Sequence, residues 1–163
     1  YVFFENRKDL VLKVISNDMK KHELDIGNVI AEKLHPIEEI LNLNVIAINK
    51  LKTCHPSFQY DLKKYYPQSW NIFDKKNRQL TYKVSIQNLK KGIKEGCYRK
   101  EINPEIISKI FSEKIDVIFN SLAFEAINVS FSDVYKELIN HHVLGIVNEE
   151  GRKYYLNFQK TTK

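Results

Sequence analysis

Pro36, Pro56, Pro67 and Pro104 each head a segment in which apolar residues recur at three- and four-residue steps. Proline is tolerated in the first turn of a helix, where its missing N–H would have no acceptor anyway. Behind Pro36, residues Ile37, Ile40, Leu41, Val45, Ile48 and Leu51 keep helical register to about Thr53. A shorter segment from Pro56 to Tyr66 carries Phe58, Leu62 and Tyr65. From Pro67 a long helix is expected to about Glu95, with Trp70, Phe73, Leu80 and Val84 on one face and Tyr82, Ile86, Leu89 and Ile93 on another. Gly92 and Gly96 bracket its end, where a left-handed cap suits glycine. From Pro104 to about Ala126, Ile107, Phe111, Ile115, Ile118 and Leu122 form one stripe. Ile106, Ile110 and Val117 widen that stripe beyond what a helix packed on one side needs.

Two further segments flank these. The first runs from about Lys8 to Ile26, with Asn6 as its cap and Leu10, Val14 and Met19 on its apolar face. In the last, Ser132 or Asp133 caps a helix that places Tyr135, Leu138, Ile139, His142, Val143 and Ile146 in register. The remainder, Asn148 to Lys163, reads as a ragged tail. No stretch alternates with period two, and no Asn-Gly or Asp-Gly hairpin turn occurs. The expected fold is all-α: one bundle of about six main helices. A chain of 163 residues has enough core to fold without staples. Its two cysteines, Cys54 and Cys97, make no disulfide framework and fit a reducing cytoplasm. No apolar run approaches the roughly 18 residues of a membrane span, and the mean hydropathy is −0.41. The chain opens at Tyr1 rather than methionine, which suggests a trimmed protein.

Charge is uneven. Residues 50–100 hold thirteen basic residues against three acids, Asp61, Asp74 and Glu95, in a chain whose overall net charge is +6. A basic middle suits a phosphate-bearing partner, since lysines release counterions on meeting phosphates. It also suits the solvated faces of helices, because the apolar residues between Lys63, Lys64, Lys75, Lys76, Lys90 and Lys91 keep helical spacing.

Signatures of catalysis are missing. There is no glycine-rich phosphate loop, no His-Glu-x-x-His and no paired Cys-x-x-Cys. Glu32 and His35 spell one Glu-x-x-His pair, but a carboxylate-bridged di-iron site needs two, and Pro36 ends the local helix. His141 and His142 diverge by about 100° on a helix and cannot readily share one ion. We assign no catalytic residue, metal or cofactor from the sequence, and expect no enzyme.

Two distant stretches carry a resemblance. Tyr1-Val2-Phe3-Phe4-Glu5-Asn6-Arg7-Lys8-Asp9-Leu10 resembles the end of the DNA-binding head of the tetracycline-repressor family of bacterial regulators, where it runs into the fourth helix. Gly92-Ile93-Lys94-Glu95-Gly96-Cys97-Tyr98-Arg99-Lys100-Glu101-Ile102-Asn103-Pro104-Glu105 is similar to that family's turn between the seventh and eighth helices. His55-Pro56-Ser57-Phe58 with Asp61-Leu62-Lys63-Lys64-Tyr65-Tyr66-Pro67, and His142-Val143-Leu144-Gly145-Ile146-Val147, resemble the sixth helix and the C-terminal ending of one branch. The family's acidic residue at position 8 is here Lys8, and the helix-turn-helix head is absent but for its end.

The resemblance implies residues 1–7 as the remnant of that head and residues 8–163 as a ligand-binding and dimerisation domain. It implies a ligand-responsive transcriptional regulator, most often a repressor, acting as a homodimer on operator DNA through the missing head. A small, largely apolar effector would sit among Asn44, Ile48, Phe58, Leu62, Tyr65, Tyr66, Trp70, Phe73, Tyr82 and Phe111. The last two helices would pair across a two-fold axis through Ile118, Leu122, Tyr135, Leu138, His142 and Ile146. Tyr1, Arg7 and Lys8 would touch DNA phosphate, and no membrane partner is implied. The competing reading is a helical module whose basic 50–100 region binds RNA or an acidic protein, with Lys63, Lys64, Lys90 and Lys91 as its contacts.

Overall fold

A computed structural model of the protein describes residues 4–53, 57–119 and 129–161. Seven helices account for almost all of it: α1 (Arg7–Ala31), α2 (Pro36–Thr53), α3 (Ser57–Tyr65), α4 (Pro67–Lys94), α5 (Pro104–Phe119), α6 (Phe131–Ile146) and α7 (Glu149–Thr161). Among the described residues there is no strand; one isolated antiparallel bridge joins Tyr98 to Val147. No described helix is long and apolar enough to cross a membrane.

Helix starts follow local chemistry. Asn6 caps α1 by accepting a hydrogen bond from the Asp9 amide at 2.9 Å, satisfying one of the orphan donors of the first turn. Proline opens α2, α4 and α5. The last long helix starts two residues earlier than expected. Ser130, rather than Ser132 or Asp133, is its cap, because the Ser130 hydroxyl and Asp133 serve each other across the first turn.

Helix α1 continues five residues beyond Ile26, to Ala31. The larger correction concerns the C-terminus. Residues expected as a ragged tail form α7, capped by Asn148, whose Oδ1 accepts the Gly151 amide at 2.9 Å. Tyr155 of α7 is buried, so this helix belongs to the core and the main helices number seven rather than six.

Helix α4 is the spine. It packs on α1, α2, α3 and most extensively on α5, while α6 lies against α2 and α5, and α7 against α2. The principal core gathers Ile37, Ile40, Leu89, Tyr98, Phe111, Tyr135, Ile139, Val143, Ile146 and Tyr155. A second, smaller cluster of Ile15, Met19 and Leu62, with Val11, Tyr66, Trp70 and Phe73 against it, joins α1, α3 and the first turns of α4.

Candidate functional site

The residues with a sequence-based claim to an effector site separate into four groups. Leu62, Tyr66, Trp70 and Phe73 come together in the smaller cluster, where the Trp70 and Phe73 rings are tilted with centroids 5.7 Å apart. Cations cover this cluster: Lys63 Nζ sits 4.5 Å from the Trp70 ring centroid and Lys50 Nζ 5.9 Å from that of Phe73. Lys50 is itself 2.8 Å from Asp18 of α1. Asn44, Ile48 and Phe111 belong instead to the principal core. Phe58 and Tyr65 face solvent, 40% and 62% exposed. Tyr82 lines an open groove of about 650 Å³ between α4 and α5, opposite Ile106 and Ile110.

The proposed interface residues also divide. Tyr135, His142 and Ile146 are buried inside the subunit, and Leu138 packs against the same core. Tyr135 donates a hydrogen bond to Asn44 Oδ1 at 2.9 Å, and Asn44 Nδ2 donates to the Ile40 carbonyl at 2.6 Å. His142 stacks on Phe111 at 4.3 Å, and its Nε2 has no hydrogen-bond partner among the described residues. Burial, with the nearby charges of Lys114 and His141, pushes the His142 imidazole down to about 4, so it is neutral in the fold. Ile118 lies in the last turn of α5, its side chain outside the described residues, as is the whole of Leu122. Among the described side chains of α5, the large apolar ones left exposed are Ile106 and Ile110.

Of the phosphate candidates, Tyr1 lies outside the described residues. Arg7 begins α1 and is exposed; Lys8 is exposed and its Nζ donates to Gln68 Oε1 on α4.

The Gly92–Glu105 motif spans the end of α4, the turn after it and the start of α5, and is closely built. Gly96 takes φ +78°, which closes α4 in the left-handed conformation that glycine adopts freely. The chain then doubles back, and the amides of Cys97 and Tyr98 both donate to the Gly92 carbonyl, at 3.0 and 3.1 Å. Tyr98 is fully buried and lies so close to Gly92 that a Cβ there would stand 2.1 Å from its ring. Its hydroxyl donates to Asn88 Oδ1 at 2.8 Å, with the Pro36 carbonyl 3.1 Å away. Asn88 Nδ2 in turn reaches the Pro36 carbonyl at 2.9 Å and Glu39 Oε1 at 2.8 Å. Lys91 closes the network on Glu39 Oε2 at 2.6 Å and the Leu34 carbonyl at 2.5 Å.

The same loop is stitched to the α6–α7 junction. Arg99 N–H donates to the Ile146 carbonyl at 2.9 Å and Asn148 N–H to the Cys97 carbonyl at 3.2 Å. Gly151 is required there, since a Cβ would come within 2.1 Å of the Cys97 carbonyl oxygen. Cys97 is buried, and burial, reinforced by Glu95, pushes its thiol up to about 11, which leaves it unreactive.

Asn88 and Glu39 were not singled out by the sequence, and Lys91, which there reads as an outward contact for RNA or an acidic partner, turns inward to Glu39 instead. Asn88 did leave a signal: it stands one turn after Val84 on the apolar face of α4, where a polar side chain needs a buried partner. Among the described residues, no group of three or more metal-ligating side chains occurs. Comparison with protein-family models, curated proteins and solved structures yields no match.

Proposed function

We propose that this chain is the effector-sensing and dimerising body of a cytoplasmic, ligand-responsive transcriptional regulator of tetracycline-repressor type. The observation that carries this reading is the position of the Gly92–Glu105 motif. It joins the fourth and fifth helices here, and three absent head helices would make these the seventh and eighth of the regulator, the pair the motif joins in that family. The motif's glycines and aromatic residue are also the ones that the local packing requires.

The effector site in this reading is the smaller cluster among α1, α3 and α4. It has the mostly apolar, aromatic lining of a small-molecule site, and Ser69, the buried residue before Trp70 on α4, has a hydroxyl without a partner among the described residues. A guest that separates α3 from α1 and α4 would move the start of α1, next to the missing head. It must bind the two arrangements unequally to act as a switch. Dimerisation would use the outer face of α5, where Ile106 and Ile110 are exposed, rather than Tyr135, His142 and Ile146, which the subunit already buries.

A panel of apolar and aromatic metabolites, followed by thermal shift and Trp70 fluorescence, tests the sensor. At 100 times its dissociation constant an effector stabilises by about 2.7 kcal/mol. Light scattering tests the dimer, with Ile106→Glu and Ile110→Glu expected to halve the mass. A monomeric wild-type chain that answers no compound would overturn the proposal.

A further inference from the structure

We infer that the outer face of α4 is a docking surface for the phosphate backbone of a nucleic-acid duplex, separate from any contact made by a reading head. From Ile72 onward, the exposed residues of α4 are Ile72, Lys75, Lys76, Gln79, Lys83, Gln87, Lys90 and Lys94. At about 100° per residue they fall within roughly 120° of the helix circumference. The face has five lysines and no acid.

None of these five lysines has an ion-pair partner among the described residues, although three exposed lysines on other helices do find one. Lys13 meets Asp9, Lys109 meets Glu113 and Lys153 meets Glu150, each within a turn on its own helix. The acids closest to the stripe are engaged or peripheral. Asp74 is held by Arg78, and Glu113 by Arg78 and Lys109; Glu105 stands across the groove from Lys75; Glu95 comes after the helix end. Lys90 and Lys94, one turn apart, repel each other, so that pair gains nothing within the subunit.

The shape selects the partner. Lys75 and Lys94 are nineteen rises apart, about 28 Å along a straight helix, and that length of duplex carries roughly 16 phosphate charges. A membrane surface needs a broad apolar flank to bury; Ile72 is the sole apolar residue on the stripe, and the exposed apolar side chains beside it, Ile106 and Ile110 across the groove from Lys75, make only a small patch. Single strands are held by stacking on aromatic rings, and no ring lies on the stripe. Lysine is depleted at protein–protein interfaces, whereas phosphate contact without sequence reading is what lysines do best.

The test is anisotropy of labelled 20-base-pair DNA and RNA duplexes of arbitrary sequence, titrated with the whole chain across salt concentrations. With all five lysines engaged, the slope of log affinity against log salt is about −4.5, a loss of roughly 500-fold between 50 and 200 mM. Replacing Lys75, Lys83 and Lys90 by Gln lowers that slope by about 3, while the same three positions as Arg keep it. All these side chains are exposed, so both variants melt close to wild type. No duplex binding at 50 mM salt overturns the inference, as does an unchanged slope in the Gln variant. So does tighter binding to single strands, anionic vesicles or polyglutamate than to duplex. The result is independent of the sensor reading, which is tested by mass and by effector response.

Discussion

At the C-terminal end of α4, Tyr98 lies fully buried against Gly92 while its hydroxyl joins Asn88, Pro36, Glu39 and Lys91 in one hydrogen-bonded network. At the N-terminal end, Trp70 and Phe73 meet Leu62, Ile15 and Met19 through apolar contact, under lysines that reach across from α2 and α3. The first arrangement is directional: each group has a set partner, and an unmatched one would cost about 1–3 kcal/mol. The second is adaptable, because apolar contact tolerates repacking and the cations lie at its edge. Rigidity is therefore concentrated at one end of the bundle and plasticity at the other, which is where a guest would enter.

The sharpest way to break this contrast is Gly92→Ala. Its Cβ cannot fit against the Tyr98 ring, and Tyr98 cannot retreat without abandoning its hydrogen bonds. We expect a loss of about 3 kcal/mol or more, measured by urea unfolding. A cost below about 1 kcal/mol would mean that the stitched end is as pliable as the other.

Acid offers a comparable effect by another route. His142 titrates near 4 in the fold and near 6.5 when unfolded, so on acidification the unfolded chain takes up the proton first. Stability is full above about pH 6.5 and falls as the pH drops toward 4, by on the order of 3 kcal/mol. Burial lowers His22 and His35 as well, which adds to the same trend. His142→Leu should flatten most of this slope in melts recorded from pH 7 to 4.

Trp70→Ala should cost less, about 2 kcal/mol, since the ring is only partly buried. It should speed amide exchange in α3 and the first half of α1 while leaving the amides of Cys97 and Tyr98 protected. The smallest change has the opposite sign. Gly27→Ala, on the exposed side of α1 about one turn before its end, with nothing within 4 Å of the new methyl, should stabilise by about 0.5–1 kcal/mol in the same unfolding assay.

Much of the architecture could be read directly. Prolines at three helix starts and apolar steps of three and four located α2, α4 and α5, because those signals are local. Helix α7 reads in the sequence as a ragged tail; what fixes it, the packing of Tyr155 into the core and the approach of Gly151 to the Cys97 carbonyl, is visible only in three dimensions. The aromatic residues met the same limit. Register tells which face of α4 holds Trp70 or Tyr82, but not whether that face meets α3, α5 or water. So the ten residues read as one site divide between two clusters, a groove and the surface. The basic middle likewise resolved only on folding: Lys91 turned inward to Glu39, while Lys90 beside it stayed outside.

Helix α1 spans both ends of this contrast. It leads into the turn whose Leu34 carbonyl Lys91 holds, and its first half rests on the yielding cluster. At 25 residues it is about 37 Å long. A swing of only about 5° around Ala31 would carry Arg7 sideways by about 3 Å, roughly the rise of one base pair. A lever of that reach converts a slight wedge under Trp70 into a displacement large enough to misalign anything attached ahead of Arg7.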